Sequence, residues 1–279
     1  MDYSGILLTV DYDRTLTAPD ETVPRRNIEA IRYFMDHGGT FTVNTGRSLP
    51  MARGFMDQIP HNAPLLLYNG SAAYENGKLT LCHPIELDMA KTLTMVMEGL
   101  PDLNLEVQGT AAHYAFRKNP YWEAFCAGQG ADYAYANVED DLGVFLKFSF
   151  YGEFIDASVA RLFQATPEEM KRMDEAEAWL KAVLGDKAQV FRAGARIIDV
   201  HAGGVSKKLA ARELQARLGS KILICVGDAH NDLAMLEDAD YAYCPADGAV
   251  ADRFENVCAC AEGAVADVIY KKIPEILRK

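Results

Sequence analysis

Ile6-Leu7-Leu8-Thr9-Val10-Asp11-Tyr12-Asp13-Arg14-Thr15-Leu16-Thr17 is the stretch that decides the fold. Its first five residues form a short, almost wholly apolar run, the pattern of a strand buried on both faces of a parallel sheet. Asp11 follows directly, so it is expected at the strand's carboxyl end, where open α/β sheets bind ligands. Asp11 and Asp13 stand two apart, and in extended backbone both reach one site. Two close carboxylates repel unless they share a proton or hold a cation, and a hard, oxygen-liganded ion such as magnesium answers that repulsion. Taken alone, the pair also suits a turn or a helix cap.

Working outward, Pro24 to about His37 reads as a helix, with proline near its start and Gly38-Gly39 near its end. Thr40 to Asn44 reads as a second strand, a helix is expected from about Ser48, and Pro64 to Tyr68 as a third strand closed by the turn signal Asn69-Gly70. This β-α-β-α-β order predicts an α/β fold with a doubly wound, Rossmann-like parallel sheet. The middle of the chain changes character. Leu146, Phe148 and Phe150 alternate with Lys147, Ser149 and Tyr151, as in an antiparallel strand with one wet face. Thr166-Pro167-Glu168-Glu169 predicts a capping box opening a helix that runs to Leu184 and stops at Gly185. The α/β pattern returns after about 188, with a strand at Ile197–Val200, a helix Lys207–Leu218 capped by Ser206, and a buried strand from Lys221 to Val226. The expectation is a core domain built from 1–82 and 188–279, with an α+β domain, 83–187, inserted into it.

A chain of 279 residues, 49% of them apolar, has enough material for two such domains. The net charge of -12 argues against a nucleic-acid partner and against an anionic membrane surface. It also repels an anionic substrate, so a cation in the site would have to reverse the local sign. The six cysteines fit neither a paired Cys-x-x-Cys zinc site nor a small disulfide scaffold. No basic-then-apolar leader opens the sequence, and no apolar run approaches the roughly 18 residues of a membrane span. A cytoplasmic protein with no obligate protein partner is expected.

Three further clusters carry chemistry. Asn44-Thr45-Gly46-Arg47 lies between a strand and a helix, where a hydroxyl and free backbone N–H groups make an anion pocket. Gly203-Gly204-Val205-Ser206-Lys207-Lys208 brings a lysine to a helix start, with Lys207 and Lys208 competing for the role of reaching a phosphate. Gly227-Asp228-Ala229-His230-Asn231-Asp232 places carboxylates at another strand end, which is costly without a cation or hydrogen-bond donors.

In order, spacing and position the four clusters resemble the haloacid dehalogenase superfamily of aspartyl-phosphate phosphatases, through both flanks of the chain. The pairing of Asp11-x-Asp13-x-Thr15-Leu16 with Gly227-Asp228-x-x-Asn231-Asp232 is the specific part. The long gap between Arg47 and Lys207 resembles the type IIB cap of the Cof-like subfamily, as do Asn69-Gly70 and Gly204-Val205-Ser206-Lys207. The resemblance implies that Asp11 attacks phosphorus and that Asp13 protonates the leaving oxygen and then deprotonates water. It implies that Thr45, Gly46, Lys207 and Asn231 hold the phosphoryl group. Asp11, Asp228 and the Asp13 backbone carbonyl would bind Mg2+, with Asn231 and Asp232 supporting the metal and the Lys207 corner. Arg14 stands where the family usually has glycine; it is expected to point to solvent or, alternatively, to narrow the entrance or touch an anionic substrate. An intact Asp13 favours phosphatase over dehalogenase chemistry, and His230 occupies a variable position. The aromatic stretch His113–Arg117 with Tyr121-Trp122 reads as cap core or as pocket wall. The expected activity is hydrolysis of a small phosphorylated metabolite, such as a sugar phosphate or a phosphorylated cofactor. The alternatives are a phosphomutase or phosphotransferase using the same aspartyl phosphate, or a catalytically silent regulatory binding protein on this scaffold.

Overall fold

A computed structural model describes residues 1–152 and 164–278. The described strands are β1 (Ile6–Val10), β2 (Thr40–Val43), β3 (Leu65–Leu67), β4 (Ala72–Glu75), β5 (Lys78–Thr80), β6 (Asn104–Gln108), β7 (His113–Ala115), β8 (Tyr133–Tyr135), β9 (Phe148–Tyr151), β10 (Ala188–Gly194), β11 (Ile197–Ala202), β12 (Ile222–Val226), β13 (Tyr241–Pro245) and β14 (Glu255–Val257). The chain divides into two compact units. The first comprises Met1–Gly46, Asp57–Leu81 and Ser206–Lys279, and the second Arg47–Met56 and Cys82–Val205.

The first unit is built on a five-stranded parallel sheet in the order β14-β13-β12-β1-β2. Every residue of β1 is buried, as its apolar run requires. From β1 the chain moves outward to β2 on one side, and later from β12 outward to β13 and β14 on the other. The direction of winding therefore reverses between β1 and β12, whose last residues Val10 and Val226 are paired. Asp11 and Gly227-Asp228 leave the sheet at that switch point, the place where open α/β sheets hold ligands. Leu65–Leu67 runs beside β2 through the bridge Asn44↔Leu66, but its ladder is antiparallel with β4 in a separate three-stranded sheet. The helix Arg25–Asp36 is stitched to its neighbours by buried Asn27, which donates to Leu16 O at 2.9 Å and accepts from Ala266 N–H at 2.9 Å.

The second unit holds a six-stranded sheet in the order β10-β11-β9-β6-β7-β8. Leu105, Val107, Phe148, Phe150, Ile198 and Val200 form its apolar face, in one core with Leu93 and Val96 of the helix Met89–Gly99 and with Met173, Ala176 and Leu180 of the helix Pro167–Leu184. Burying side chains of this size contributes about 1.5–3 kcal/mol each. The capping box at Thr166 forms: Glu169 N–H donates to Thr166 Oγ1 at 3.2 Å, and Thr166 N–H to Glu169 Oε2 at 2.8 Å. The alternation along Leu146–Tyr151 is as expected, but the polar face is not wet. Lys147, Ser149 and Tyr151 are buried. Lys147 Nζ pairs with Asp199 Oδ2 at 2.8 Å, and Ser149 donates to Asp199 Oδ1 at 2.7 Å, so the face is satisfied internally. The expected return to the first unit at 188 is corrected to Ser206, because β10 and β11 form an antiparallel pair whose second strand continues onto β9. Among the described residues no helix is long and apolar enough to cross a membrane.

Candidate active site

Asp11 is the first residue beyond β1, fixed by its N–H to Val226 O at 2.9 Å, and its side chain is buried. The chain then makes a single wide turn, Tyr12–Leu16, in which Arg14 takes the left-handed conformation (φ 59, ψ 10). That backbone explains the usual glycine at this position, since a side chain there meets steric resistance. Arg14 is exposed, as expected, and its N–H donates to Thr17 Oγ1 at 3.1 Å.

Lys207 opens the helix Lys207–Leu218 behind the cap Ser206, whose hydroxyl accepts from Leu209 N–H at 3.2 Å. Its ammonium is buried between two carboxylates, 2.5 Å from Asp11 Oδ1 and 2.7 Å from Asp232 Oδ1. Of the two competing lysines, Lys208 instead pairs at the surface with Asp238 at 3.0 Å. Asn44 Nδ2 donates to Lys207 O at 2.9 Å and so braces the helix start from β2.

Asp228 and Asp232 come from the turn after β12. Asp232 Oδ2 accepts both Asp228 N–H and Ala229 N–H at 3.1 Å, which locks the turn and leaves Oδ1 for Lys207. Gly227 is obligatory, since a Cβ there would lie 2.7 Å from Asp232 Cγ. Thr15 donates its hydroxyl to Asp228 Oδ1 at 3.0 Å, linking the first and last motifs. The motif pattern contained Thr15 but gave it no role.

Carboxylate oxygens of Asp11, Asp228 and Asp232 all lie within 4.8 Å of one another. Three buried carboxylates against one ammonium leave excess negative charge out of water. Burial pushes Asp11 well above the ordinary carboxylate range; Lys207 opposes this, and Asp232, Asp228 and Asp13 add to it. Burial and Asp232 push Asp228 up to about 7. Burial would drive Lys207 toward the neutral amine, but Asp11 and Asp232 outweigh it and keep the ammonium charged. A set of hard oxygen donors with unbalanced charge fits a divalent cation such as Mg2+. Asp13 is half-buried beyond Asp11, and its charge reaches Asp11.

Thr45-Gly46 sits against the turn after β3: Thr45 N–H donates to Leu66 O, and Asn69 N–H to Thr45 O, each at 2.9 Å. Gly46 is needed there, because a Cβ would lie 2.8 Å from Asn69 Oδ1. Asn231 Nδ2 reaches the same Asn69 Oδ1 at 3.4 Å, so Asn69 joins the second and fourth motifs. His230 is exposed. In the second unit, Phe116, Arg117 and Trp122 line a small pocket with Glu106, Asn104 and Asn119.

A profile of the haloacid dehalogenase-like hydrolase family matches residues 8–252. The chain belongs to that family of hydrolases, and the motif pattern had implied as much. Solved structures share the fold along nearly the whole chain. A haloacid dehalogenase-like hydrolase from Bacteroides thetaiotaomicron superposes with a TM-score of 0.78 at 18% identity, covering 97% of this chain and 100% of its own. The phosphatase BT1666 of the same organism gives 0.75 at 18% identity, with 96% and 94% covered. The subclass IIB sugar phosphatase BT4131 gives 0.73 at 16% identity, with 97% and 98% covered.

Proposed function

We propose that this hydrolase is a Mg2+-dependent phosphatase of small phosphomonoesters and that Asp11 is its nucleophile. The observation that carries the reading is the buried Asp11 carboxylate at the switch point, held 2.5 Å from Lys207 and beside Asp228 and Asp232. Asp11 bonds to phosphorus as the ester P–O bond breaks, and Asp13 passes a proton to the departing oxygen. In the second displacement Asp13 takes a proton from water, the water oxygen bonds to phosphorus, and the bond to Asp11 breaks, releasing inorganic phosphate. Dividing hydrolysis in two lowers each barrier. The Thr45 hydroxyl, the Gly46 N–H, the Lys207 ammonium and the Asn231 amide hold the phosphoryl oxygens, an electrostatic contribution paramount in phosphoryl transfer. Asp11, Asp228 and the Asp13 carbonyl would hold Mg2+, with Asp232 in support. When bound, the ion neutralises charge on the phosphoryl oxygens and on the carboxylates around them.

We read the second unit as the inserted cap that chooses the leaving group, and a phosphorylated small metabolite in the cytoplasm as the substrate. A sugar phosphate is favoured, because a structural relative spanning nearly the same length is a sugar phosphatase. The test is phosphate release from a panel of phosphomonoesters with magnesium and with a chelator. Magnesium-dependent release is expected. Isomerisation of a sugar phosphate without free phosphate would mark a mutase, and no turnover by folded protein would leave a silent binding scaffold.

A further inference from the structure

His113 lies in the second unit, on β7, and both ring nitrogens are engaged. Nδ1 is 2.8 Å from Glu106 Oε1 on β6, and Nε2 is 2.7 Å from Ser48 Oγ. All three residues are buried, with Ser48 at 0% exposure and Glu106 and His113 at 1% each. Glu106 also accepts from Trp122 Nε1 at 3.0 Å, Gln108 Nε2 at 3.0 Å and Tyr151 OH at 2.5 Å. Burial alone would raise the Glu106 carboxyl, but His113 and the hydrogen bonds from His113, Tyr151 and Gln108 outweigh it and bring it down to about 2. An ionised carboxylate only accepts, so Nδ1 carries a hydrogen. Nε2 then meets Ser48 in either charge state: a neutral ring accepts the hydroxyl hydrogen, and an imidazolium donates to the oxygen. Ser48 Oγ further accepts from Met51 N–H at 3.4 Å, capping the short helix Leu49–Ala52.

Two other readings of this cluster are weaker. Glu106, His113 and Cys126 are near enough to share a metal ion. However, burial and Glu106 push the Cys126 thiol up, which keeps its proton and the hydrogen-bonded form. A nucleophilic serine needs access to substrate, and Ser48 has no exposed surface.

A buried ionic hub is expensive compared with packed apolar side chains, and one attested use is to fix a single geometry. The geometry fixed here is that of Ser48, the third residue after Thr45. Thr45 is pinned at Leu66 and Asn69. The chain passes from the first unit to the second between Gly46 and Arg47, and Ser48 is pinned next. We propose that His113, held by Glu106, is a positioning residue that anchors Ser48 and thereby sets the conformation of the Thr45–Arg47 turn on the phosphoryl group. This rests on the reading of Thr45-Gly46 as phosphate-binding.

The test uses Ser48→Ala and His113→Gln, with Ser48→Thr as the variant that keeps a hydroxyl. The rates to compare are kcat and KM for phosphomonoesters of different leaving groups, together with the inhibition constant for orthovanadate. The expected result is a fall in kcat of about ten- to a hundredfold, the scale of a small misplacement. It is the same factor for every leaving group, with weaker vanadate inhibition and recovery in Ser48→Thr. Folded Ser48→Ala with wild-type kcat and vanadate inhibition overturns the proposal. So does a loss that varies with the leaving group, which would place His113 at the substrate's other end. Wild-type protein that is folded and releases no phosphate from any of these esters would refute the phosphatase reading itself, before any variant is compared, and the proposal with it.

Discussion

Lys207 Nζ lies 2.5 Å from Asp11 Oδ1, although the two residues stand 196 positions apart. The bond closes the sheet's switch point from the opposite end of the chain, and the same ammonium holds Asp232. Lys207→Met would leave two buried carboxylates without their cation. Removing one partner of a buried ionic group typically costs about 3–5 kcal/mol. The expected outcome is a urea midpoint lowered accordingly, together with loss of phosphate release. A variant as stable as wild type would show that water or protonation already relieves the cluster.

Thr15 and Asp228 make the other long-range link, at 3.0 Å. Thr15→Val keeps the shape and removes the donor to a buried carboxylate. A loss of about 1.5–3 kcal/mol is expected, the range for a hydrogen bond to a charged group. Magnesium affinity, measured by calorimetry, should fall as well, because Asp228 loses a group that favours its ionised form. Unchanged affinity would separate Thr15 from the metal site.

On the proposed reading, metal and protons compete for Asp11 and Asp228, both raised mainly by burial, Asp228 to about 7. Carboxylates must ionise to bind a hard cation, so binding expels protons. Between the ordinary value near 3.8 and about 7, the folded protein holds a proton on Asp228 that the unfolded chain has lost, and stability without metal declines as pH rises through that window. The gain in Tm on adding magnesium should therefore grow from about pH 6 to about pH 8. A gain independent of pH would contradict the assignment.

His201 gives the opposite pH signature. Burial holds it down to about 3 from an ordinary 6.5, with Lys147 acting in the same direction and Asp199 against it. The unfolded chain takes up a proton first, so this contribution is whole above about 6.5 and is lost as pH falls toward about 3. The slope approaches about 1.4 kcal/mol per pH unit for one proton. Urea unfolding at a series of pH values should show it in wild type and not in His201→Gln. A common slope would mean that another group governs acid lability.

The strand-end motifs were legible because each is local: an apolar run ends and a carboxylate, hydroxyl or lysine follows. The antiparallel character of Leu146–Tyr151 was legible for the same reason. What failed was long-range. Ile197–Val200 reads as a strand of the returning α/β pattern; its alternation with Asp199 and His201 was the available signal that it belongs beside β9, and burial of that polar face is invisible in a sequence. Lys207 and Lys208 differ only by one helical step of direction, which needs the helix in place to resolve. The contact of Ser48 with His113 spans 65 positions and has no local signature at all.

The most direct test of Asp11 as the nucleophile is acid quenching of Asp13→Asn during turnover of an activated aryl phosphate, whose leaving group needs no proton. The proposed mechanism predicts that phosphorylation proceeds in that variant while hydrolysis of the intermediate stalls. Peptide mass spectrometry should find the phosphoryl group on Asp11 and none in the Asp11→Asn, Asp13→Asn double variant. Turnover without covalent phosphate, or phosphate on another residue, would contradict the account.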